Sequence, residues 1–184
     1  MIHRRQAHVA EPLAALNQGK GNDTGRHMVQ SMRLEATQLI QRPPEEVFRF
    51  VATDHFQNHP RWDPAVKQMT LTSPGPMAKG TTARLFRQDR GKVIEGIITV
   101  TEYEPVRTFA AITRSGPVTL RQRVSLEPAP GGATRLHLAI DTAAAGPIRV
   151  LLPLLKPLLK PQFRKTMAAS LLAIKQHVEA QTPG

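Results

Sequence analysis

Alternating apolar and polar positions mark a series of β-strands along the middle of the chain. The first strand covers roughly residues 33–41, where Leu34, Ala36, Gln38 and Ile40 fall on one face. Six further strands are predicted at residues 66–72, 81–88, 93–104, 108–114, 118–127 and 134–142. Short turns containing Gly or Pro separate neighbouring strands, and this arrangement predicts an antiparallel meander.

Helical patterns follow the first strand and close the chain. Pro43 and Pro44 end the strand, because proline lacks an amide donor and restricts the residue before it. A helix starts at Pro44, and a second short helix or turn covers residues 55–63. Residues at helical spacing near the C-terminus predict one long helix with an apolar face made of Phe163, Met167, Leu171, Ile174 and Val178. Prolines 153, 157 and 161 predict a kinked or bent beginning, with the undisturbed helix starting near Pro161.

These elements predict a single α+β domain over residues 33–182, preceded by a flexible tail over residues 1–32. The tail contains a stretch of Gly, Asn, Asp, Thr and Lys at residues 17–25, a composition typical of flexible linkers. One strand, two short helices, a large antiparallel sheet and one terminal helix form an architecture built around a hollow. A hollow suggests a small apolar ligand.

Composition narrows the possible partners. Lys and Arg number 25 against 14 Asp and Glu, for a formal net charge of +11. This charge raises nucleic acid, acidic membranes and anionic ligands as partners. Nucleic acid is discounted, because the basic residues are scattered and no helix-turn-helix or zinc-finger spacing is present. Aromatic residues make up only 4% of the chain, so any cavity wall is mainly aliphatic.

The absence of cysteine excludes disulfides, thiolate metal sites and a cysteine nucleophile. It also fits a cytoplasmic protein. No stretch reaches the ~18–20 apolar residues needed to span a bilayer, and the N-terminus does not resemble a signal peptide. No cofactor is expected.

Residues 40–51 (IQRPPEEVFRFV) and 61–64 (RWDP) resemble the opening signature of the SRPBCC, or START-like, superfamily. Residues 79–81 (KGT), 100–105 (VTEYEP) and 131–136 (GGATRL) agree with its polyketide cyclase/dehydrase and lipid-transport branch. The resemblance implies a helix-grip fold, in which a curved antiparallel sheet of about seven strands wraps around the C-terminal helix. It further implies a cavity for a lipid, polyketide or other apolar molecule. It transfers no catalytic residue.

Three residues are candidates for acid/base chemistry. Glu95 would have a raised pKa if the fourth strand turned it into an apolar interior, although a surface position is favoured because an isolated buried carboxylate is costly. The other two candidates are Asp63, for which a turn or capping role is favoured, and Tyr103. His55 and His59 have the i, i+4 spacing of metal pairs, but no metal site is expected, because no third ligand is nearby and Pro60 interrupts the spacing.

Strand parity and helix periodicity predict the ligand contacts. Gln122 lies on the apolar face of its strand and is the first choice for a polar group that orients a ligand. Trp62 is interpreted as a core anchor, with ligand contact as the alternative. The predicted contacts are Trp62, Ile98, Gln122, Leu138, Leu155, Phe163 and Met167.

Residues 151–165 combine six leucines with Lys156, Lys160, Arg164 and Lys165. One interpretation is a lid whose leucines cover the cavity. The alternative is weak association with an anionic membrane surface.

The leading hypothesis is a carrier that binds a hydrophobic small molecule in an internal cavity, without catalysis or with weak catalysis. One competing hypothesis is a cyclase or dehydratase with an acid/base residue in that cavity. The other is a basic amphipathic module for a membrane surface or a protein partner.

Overall fold

Seven strands and three α-helices form the described part of a computed structural model, which covers residues 31–89, 91–146 and 148–181. Within the last helix, the side chains of residues 148–153, 155 and 156 lie outside the description. The elements in chain order are β1 (Ser31–Ile40), α1 (Pro44–Phe48), a π-helical turn (Arg49–Thr53), α2 (His55–Trp62), β2 (Val66–Leu71), β3 (Thr82–Asp89), β4 (Lys92–Glu104), β5 (Thr108–Ser115), β6 (Val118–Ala129), a 3₁₀ turn (Pro130–Gly132), β7 (Ala133–Ala144) and α3 (Ile148–Glu179).

The strands form one antiparallel sheet in the order β1-β7-β6-β5-β4-β3-β2. Strands β2 to β7 follow each other as a meander, and β1 lies beside β7 at the opposite edge from β2. Because α1, the π-helical turn and α2 connect these two edge strands, they cross one face of the sheet. The predicted α+β fold, with two short helices after the first strand and a long C-terminal helix, is confirmed.

The cross-strand register defines the two faces of the sheet. One row of paired residues crosses five neighbouring strands: Leu34 of β1, Ile140 of β7, Gln122 of β6, Ala111 of β5 and Val100 of β4, each paired with the next. Residues in register on antiparallel strands point to the same side. The face that carries these residues packs against the helices and is called the concave face below, and the opposite side is the convex face.

A β-bulge between Val100 and Glu102 shifts the register of β4 by one residue. The extra residue brings Tyr103 opposite Phe109, so Tyr103 joins the concave face. Glu102 consequently lies on the convex face, where its carboxylate pairs with Arg123.

The hydrophobic core lies where the helices cover the concave face. Val47, Phe48, Phe50 and Val51 are buried between the sheet and the helices, as the helical spacing predicts. From α3, the core receives Met167, Leu171, Ile174 and Val178. Each such side chain contributes about 1.5–3 kcal/mol when fully buried.

Helix α3 begins at Ile148, so the segment with the three prolines is itself helical, as the kinked-helix alternative required, and does not enter the helix as a bend. The three prolines are four residues apart and therefore lie on one side of the helix. They remove hydrogen bonds along that side alone, and the remaining backbone continues as one helix of 32 residues. None of the helices in the described residues is both long enough and apolar enough to cross a membrane.

Candidate functional site

Two histidines of α2 face the core on the concave side of the sheet, and the side chain of His59 is the less completely buried, at 13% exposed. His55 is 2% exposed, and its Nδ1 lies 2.8 Å from the carbonyl oxygen of Val51. Since a carbonyl oxygen can only accept, Nδ1 of His55 carries the proton and Nε2 is the acceptor. Nδ1 of His59 lies 3.0 Å from that Nε2 and donates to it. The i, i+4 spacing therefore does bring the rings together, and Pro60 lies inside α2 without interrupting it.

A carboxylate and a guanidinium continue this row of polar groups. Nε2 of His59 lies 4.0 Å from Oδ2 of Asp63, and Nη1 of Arg87 lies 3.5 Å from the same oxygen. Asp63 also accepts a hydrogen bond from the Ala65 backbone N–H, at 3.1 Å to Oδ1. We call His55, His59, Asp63 and Arg87 the His–Asp row. Asp63 thus has the turn role expected from the sequence as well as a place in this row.

Burial keeps both histidines neutral. It lowers the pKa of His55 to about 3, with a further contribution from the neighbouring His59 that outweighs the hydrogen bond to Val51. Burial likewise lowers the pKa of His59 to about 4, and the positive charge of Arg87 adds to the effect. At neutral pH, the protonated fraction is about one in a thousand for His59 and about one in ten thousand for His55.

Aromatic rings enclose the two histidines. The Trp62 ring stacks on His59 at a centroid distance of 5.1 Å and packs against Phe50 at 5.3 Å. Phe109 of β5 lies 4.7 Å from the His55 ring. Trp62 is 8% exposed, so it anchors α2 on the core.

The concave face is only partly covered along β6 and β7. Leu120, Gln122, Leu138 and Ile140 are half-buried, and we call these four residues the open concave face. Gln122 connects this surface to the His–Asp row, because its Nε2 lies 3.3 Å from Nε2 of His55. Among the described residues, no hydrogen bond reaches Oε1 of Gln122, which leaves that oxygen able to accept one from a bound molecule.

Thr142 adds a second polar group to the same face. Its hydroxyl is buried and has no hydrogen-bond partner in the described part of the chain. Thr142 pairs with Leu120 in the β6–β7 register, so it is the diagonal neighbour of Gln122, at a backbone separation of about 7 Å. A buried hydroxyl without a partner is costly. This one has almost no accessible surface, so a ligand would reach it only after neighbouring side chains move.

The predicted ligand contacts do not form one surface. Gln122 and Leu138 lie together on the open concave face, whereas Ile98, Met167 and Trp62 are buried in the core. Phe163 lies on α3 and is 38% exposed. The side chain of Leu155 lies outside the described residues.

The three acid/base candidates are also separated. Glu95 lies on the convex face, where it pairs with Arg84 at 3.1 Å and retains about half of its exposure. The hydroxyl of Tyr103 lies 3.0 Å from Oγ1 of Thr53, at the end of the π-helical turn. Asp63 alone belongs to the His–Asp row. The structure therefore gives Glu95 no access to the concave face.

Two open depressions in the described surface lie away from the predicted cavity. One, of about 320 Å³, lies between the short helices and the end of α3, and Arg49, Asp54, Asn58 and Arg61 contribute to its wall. The other, of about 340 Å³, lies on the convex face of β1, β7 and β6. Neither is an enclosed cavity between the sheet and α3, where the described residues form the partly uncovered surface instead.

Sequence reasoning missed two parts of this site. His55 and His59 entered it only as a metal pair, and no cluster of three or more metal-ligating side chains occurs in the described ranges. Thr142 was not nominated, although it continues the inward parity of Leu138 and Ile140 along β7. The sequence signal for Thr142 was a hydroxyl residue at a strand position whose neighbours on the same face are apolar.

Comparisons with known proteins give the class of fold. A START superfamily protein from Mycobacterium smegmatis is similar at a TM-score of 0.66 and 19% identity, covering 82% of this chain and 99% of that protein. The ZhuI aromatase/cyclase from Streptomyces sp. R1128 is similar at a TM-score of 0.66 and 16% identity, covering 81% of this chain and 94% of that one. The protein TTHA0849 from Thermus thermophilus has a TM-score of 0.64 and 18% identity, covering 83% of this chain and all of its own. At these identities the likeness establishes the fold alone, and that fold is the helix-grip fold.

The family follows from the sequence itself. The profile of the family described as polyketide cyclase/dehydrase and lipid transport matches residues 31–179. The chain therefore belongs to this family. A comparison with curated proteins found no match.

Proposed function

We propose that this protein binds an apolar small molecule with one or two oxygen or nitrogen substituents on the open concave face, and carries it without chemical change. The support is the combination found there: half-buried aliphatic side chains beside Gln122, whose Oε1 accepts no hydrogen bond from the described residues. Apolar contact supplies roughly 25 cal/mol per Å² of buried ligand surface. The Gln122 amide orients the ligand.

The protonation states favour binding over catalysis. An efficient general acid or base has a pKa near the working pH. His55 and His59, with pKa values of about 3 and about 4, are almost never protonated at neutral pH and are weak bases when neutral. Asp63 is held by Arg87 and by the Ala65 amide. The polar groups beneath the ligand surface are thus arranged as a fixed, neutral support for Gln122.

The test uses N-phenyl-1-naphthylamine, an apolar fluorescent probe with one N–H donor. We expect the probe to bind the wild-type protein, with its N–H directed at Gln122. Ile140→Trp places a large ring on the open concave face and should weaken binding at least tenfold. Gln122→Leu removes the acceptor and should weaken binding about fivefold, the value of one hydrogen bond.

Ile97→Trp is the matched control, because Ile97 lies on the convex face of the same sheet and is 44% exposed. It should leave probe affinity within twofold of the wild type. If Ile140→Trp no longer folds, Leu120→Trp tests the same surface from the neighbouring strand. Equal probe affinity in the concave-face and convex-face variants would place the binding elsewhere and overturn the proposal.

The His–Asp row supports a second candidate function, acid/base catalysis of the cyclase or dehydratase kind. It places Asp63, His59 and His55 in a row that ends at Gln122. Neutral His59 has no hydrogen on the Nε2 that faces Asp63 at 4.0 Å, so the row can move a proton only after His59 takes one up. In a dehydration, a base removes a proton next to a carbonyl, a carbon–carbon double bond forms, and the β-hydroxyl leaves with a proton as water.

The two candidates differ in turnover of 4-hydroxy-4-phenylbutan-2-one, whose dehydration gives a strongly absorbing enone. The carrier proposal predicts no enone above the rate in buffer. Enone formation that His59→Gln abolishes and Ile97→Trp preserves would replace the carrier with an enzyme.

A further inference from the structure

The apolar stripe of α3 changes sides along the helix. In its C-terminal half, Met167, Leu171, Ile174 and Val178 are buried on the sheet. In its N-terminal half, Leu154 and Leu158 are each 77% exposed, and Phe163 is 38% exposed. Exposed leucines at i, i+4 spacing form a ridge that the rest of the described chain does not cover.

Helix geometry explains why this ridge is not a continuation of the core. At about 100° per residue, Leu158 lies about 140° around the helix from Leu171. Lys160 precedes Val178 by 18 residues, or about five full turns, so the position that is buried at one end of α3 is a lysine at the other. Leu154 and Leu158 therefore face away from the direction of the sheet, whereas Leu159 is half-buried. A lid would need Leu154 and Leu158 to face the sheet.

The charge of this segment has one sign. No Asp or Glu occurs between Asp141 and Glu179, whereas the same stretch contains Arg149, Lys156, Lys160, Arg164, Lys165 and Lys175. Lys160, Arg164 and Lys165 are exposed, and none forms an ion pair with the described residues. Lys165 lies about 20° around the helix from Leu158 and Arg164 about 120°, whereas Lys160 points to the opposite side. An exposed apolar ridge on a helical segment whose charges are all cationic matches the interface of an anionic bilayer, where leucines enter the acyl boundary and cations reach the headgroups.

We propose that the exposed side of α3 that carries Leu154, Leu158 and Lys165 docks the protein on the surface of a bilayer that contains anionic lipid. A second copy of the chain is the other occupant that could cover the leucines. Pairing two copies through this segment would bring two cationic helices together, and their charges would repel each other. An anionic bilayer instead supplies the opposite charge, so we favour the bilayer as the occupant. Docking goes beyond ligand binding and needs no bound ligand.

The test is sedimentation of the full chain with vesicles of phosphatidylcholine, with and without about a third phosphatidylglycerol. We expect binding to the anionic vesicles at low salt, little binding to the neutral ones, and loss of binding at high salt. Arg164→Gln/Lys165→Gln should weaken binding about 25-fold, at about fivefold per basic residue. Leu154→Ser/Leu158→Ser should weaken it at least tenfold.

Matched controls separate docking from general charge and hydrophobicity. Arg121→Gln/Arg135→Gln removes the same charge from exposed positions of β6 and β7, and Leu71→Ser removes an exposed leucine from the edge strand β2. Both controls should bind within twofold of the wild type. Equal losses in controls and test variants would overturn the proposal. So would a dimer in sedimentation velocity that Leu154→Ser/Leu158→Ser converts to a monomer without effect on vesicle binding.

Discussion

The buried histidine pair predicts that the fold weakens in mild acid, well above the pH at which carboxylates titrate. His55 and His59 have pKa values of about 3 and about 4 in the folded chain, against an ordinary value of 6.5 in the unfolded chain. As the pH falls below 6.5, the unfolded chain binds two protons that the folded chain does not. The free energy of unfolding therefore falls with falling pH, and it is unaffected by these groups above 6.5.

The size of the effect follows from how far the pH of the experiment lies below 6.5, the pKa of histidine in the unfolded chain. At about pH 5, each histidine lies about 1.5 pH units below its unfolded pKa, at 1.36 kcal/mol per unit, so each costs about 2 kcal/mol. The pair together should lower the free energy of unfolding by about 4 kcal/mol between about pH 8 and pH 5. That is a large part of the 5–15 kcal/mol typical of a domain.

Urea unfolding at a series of pH values, followed by circular dichroism, measures this loss. His59→Gln keeps an amide beside His55 but removes one titrating ring, so the loss should fall to about 2 kcal/mol. His137→Gln is the control, because His137 lies on the convex face and its side chain is 38% exposed; it should keep the wild-type pH dependence. A wild-type stability that is flat between these pH values, or a His59→Gln variant with the full loss, would refute neutral burial of the pair.

Two further predictions concern the backbone of the sheet. Val106 follows Pro105 in the turn between β4 and β5 and has a φ of 65°, a conformation that costs a β-branched residue about 1–2 kcal/mol. Val106→Asn should therefore raise the free energy of unfolding by about 1 kcal/mol in urea titrations. A loss of stability would contradict this prediction. A Cβ at Gly96 would lie 2.2 Å from Oγ of Ser115 and 3.0 Å from the carbonyl oxygen of Arg114, so Gly96→Ala should lower the midpoint of unfolding by an amount equivalent to about 1–3 kcal/mol. Adding Ser115→Gly should restore part of that loss, and no recovery would show that Ser115 is not the obstacle.

Most of the fold could be predicted from the sequence, because the patterns that indicate strands and helices lie within a few neighbouring residues. Two-residue alternation indicated the strands of the meander, and helical spacing indicated the buried face of α3 at Met167, Leu171, Ile174 and Val178. The same parity placed Gln122 and Leu138 on one side of the sheet. The position of Glu95 stayed open from sequence, because β4 carries apolar residues on both faces: Ile94 and Ile98 on one, Val93 and Ile97 on the other. Pairing of β4 with β3 brings Glu95 beside Arg84 and thereby places Glu95 on the convex face.

The sequence by itself determined the strands, the helices and the family, because periodicity and short motifs lie within a few residues of one another. Tertiary structure alone decided that His55 meets Gln122, 67 positions away, and that burial leaves the histidines neutral. It also decided that Leu154 and Leu158 of α3 stay exposed, because helical spacing shows where apolar residues align but not how far along the helix other parts of the chain cover them. Contacts between distant segments and the desolvation they cause depend on how the whole chain packs, and no local pattern contains them.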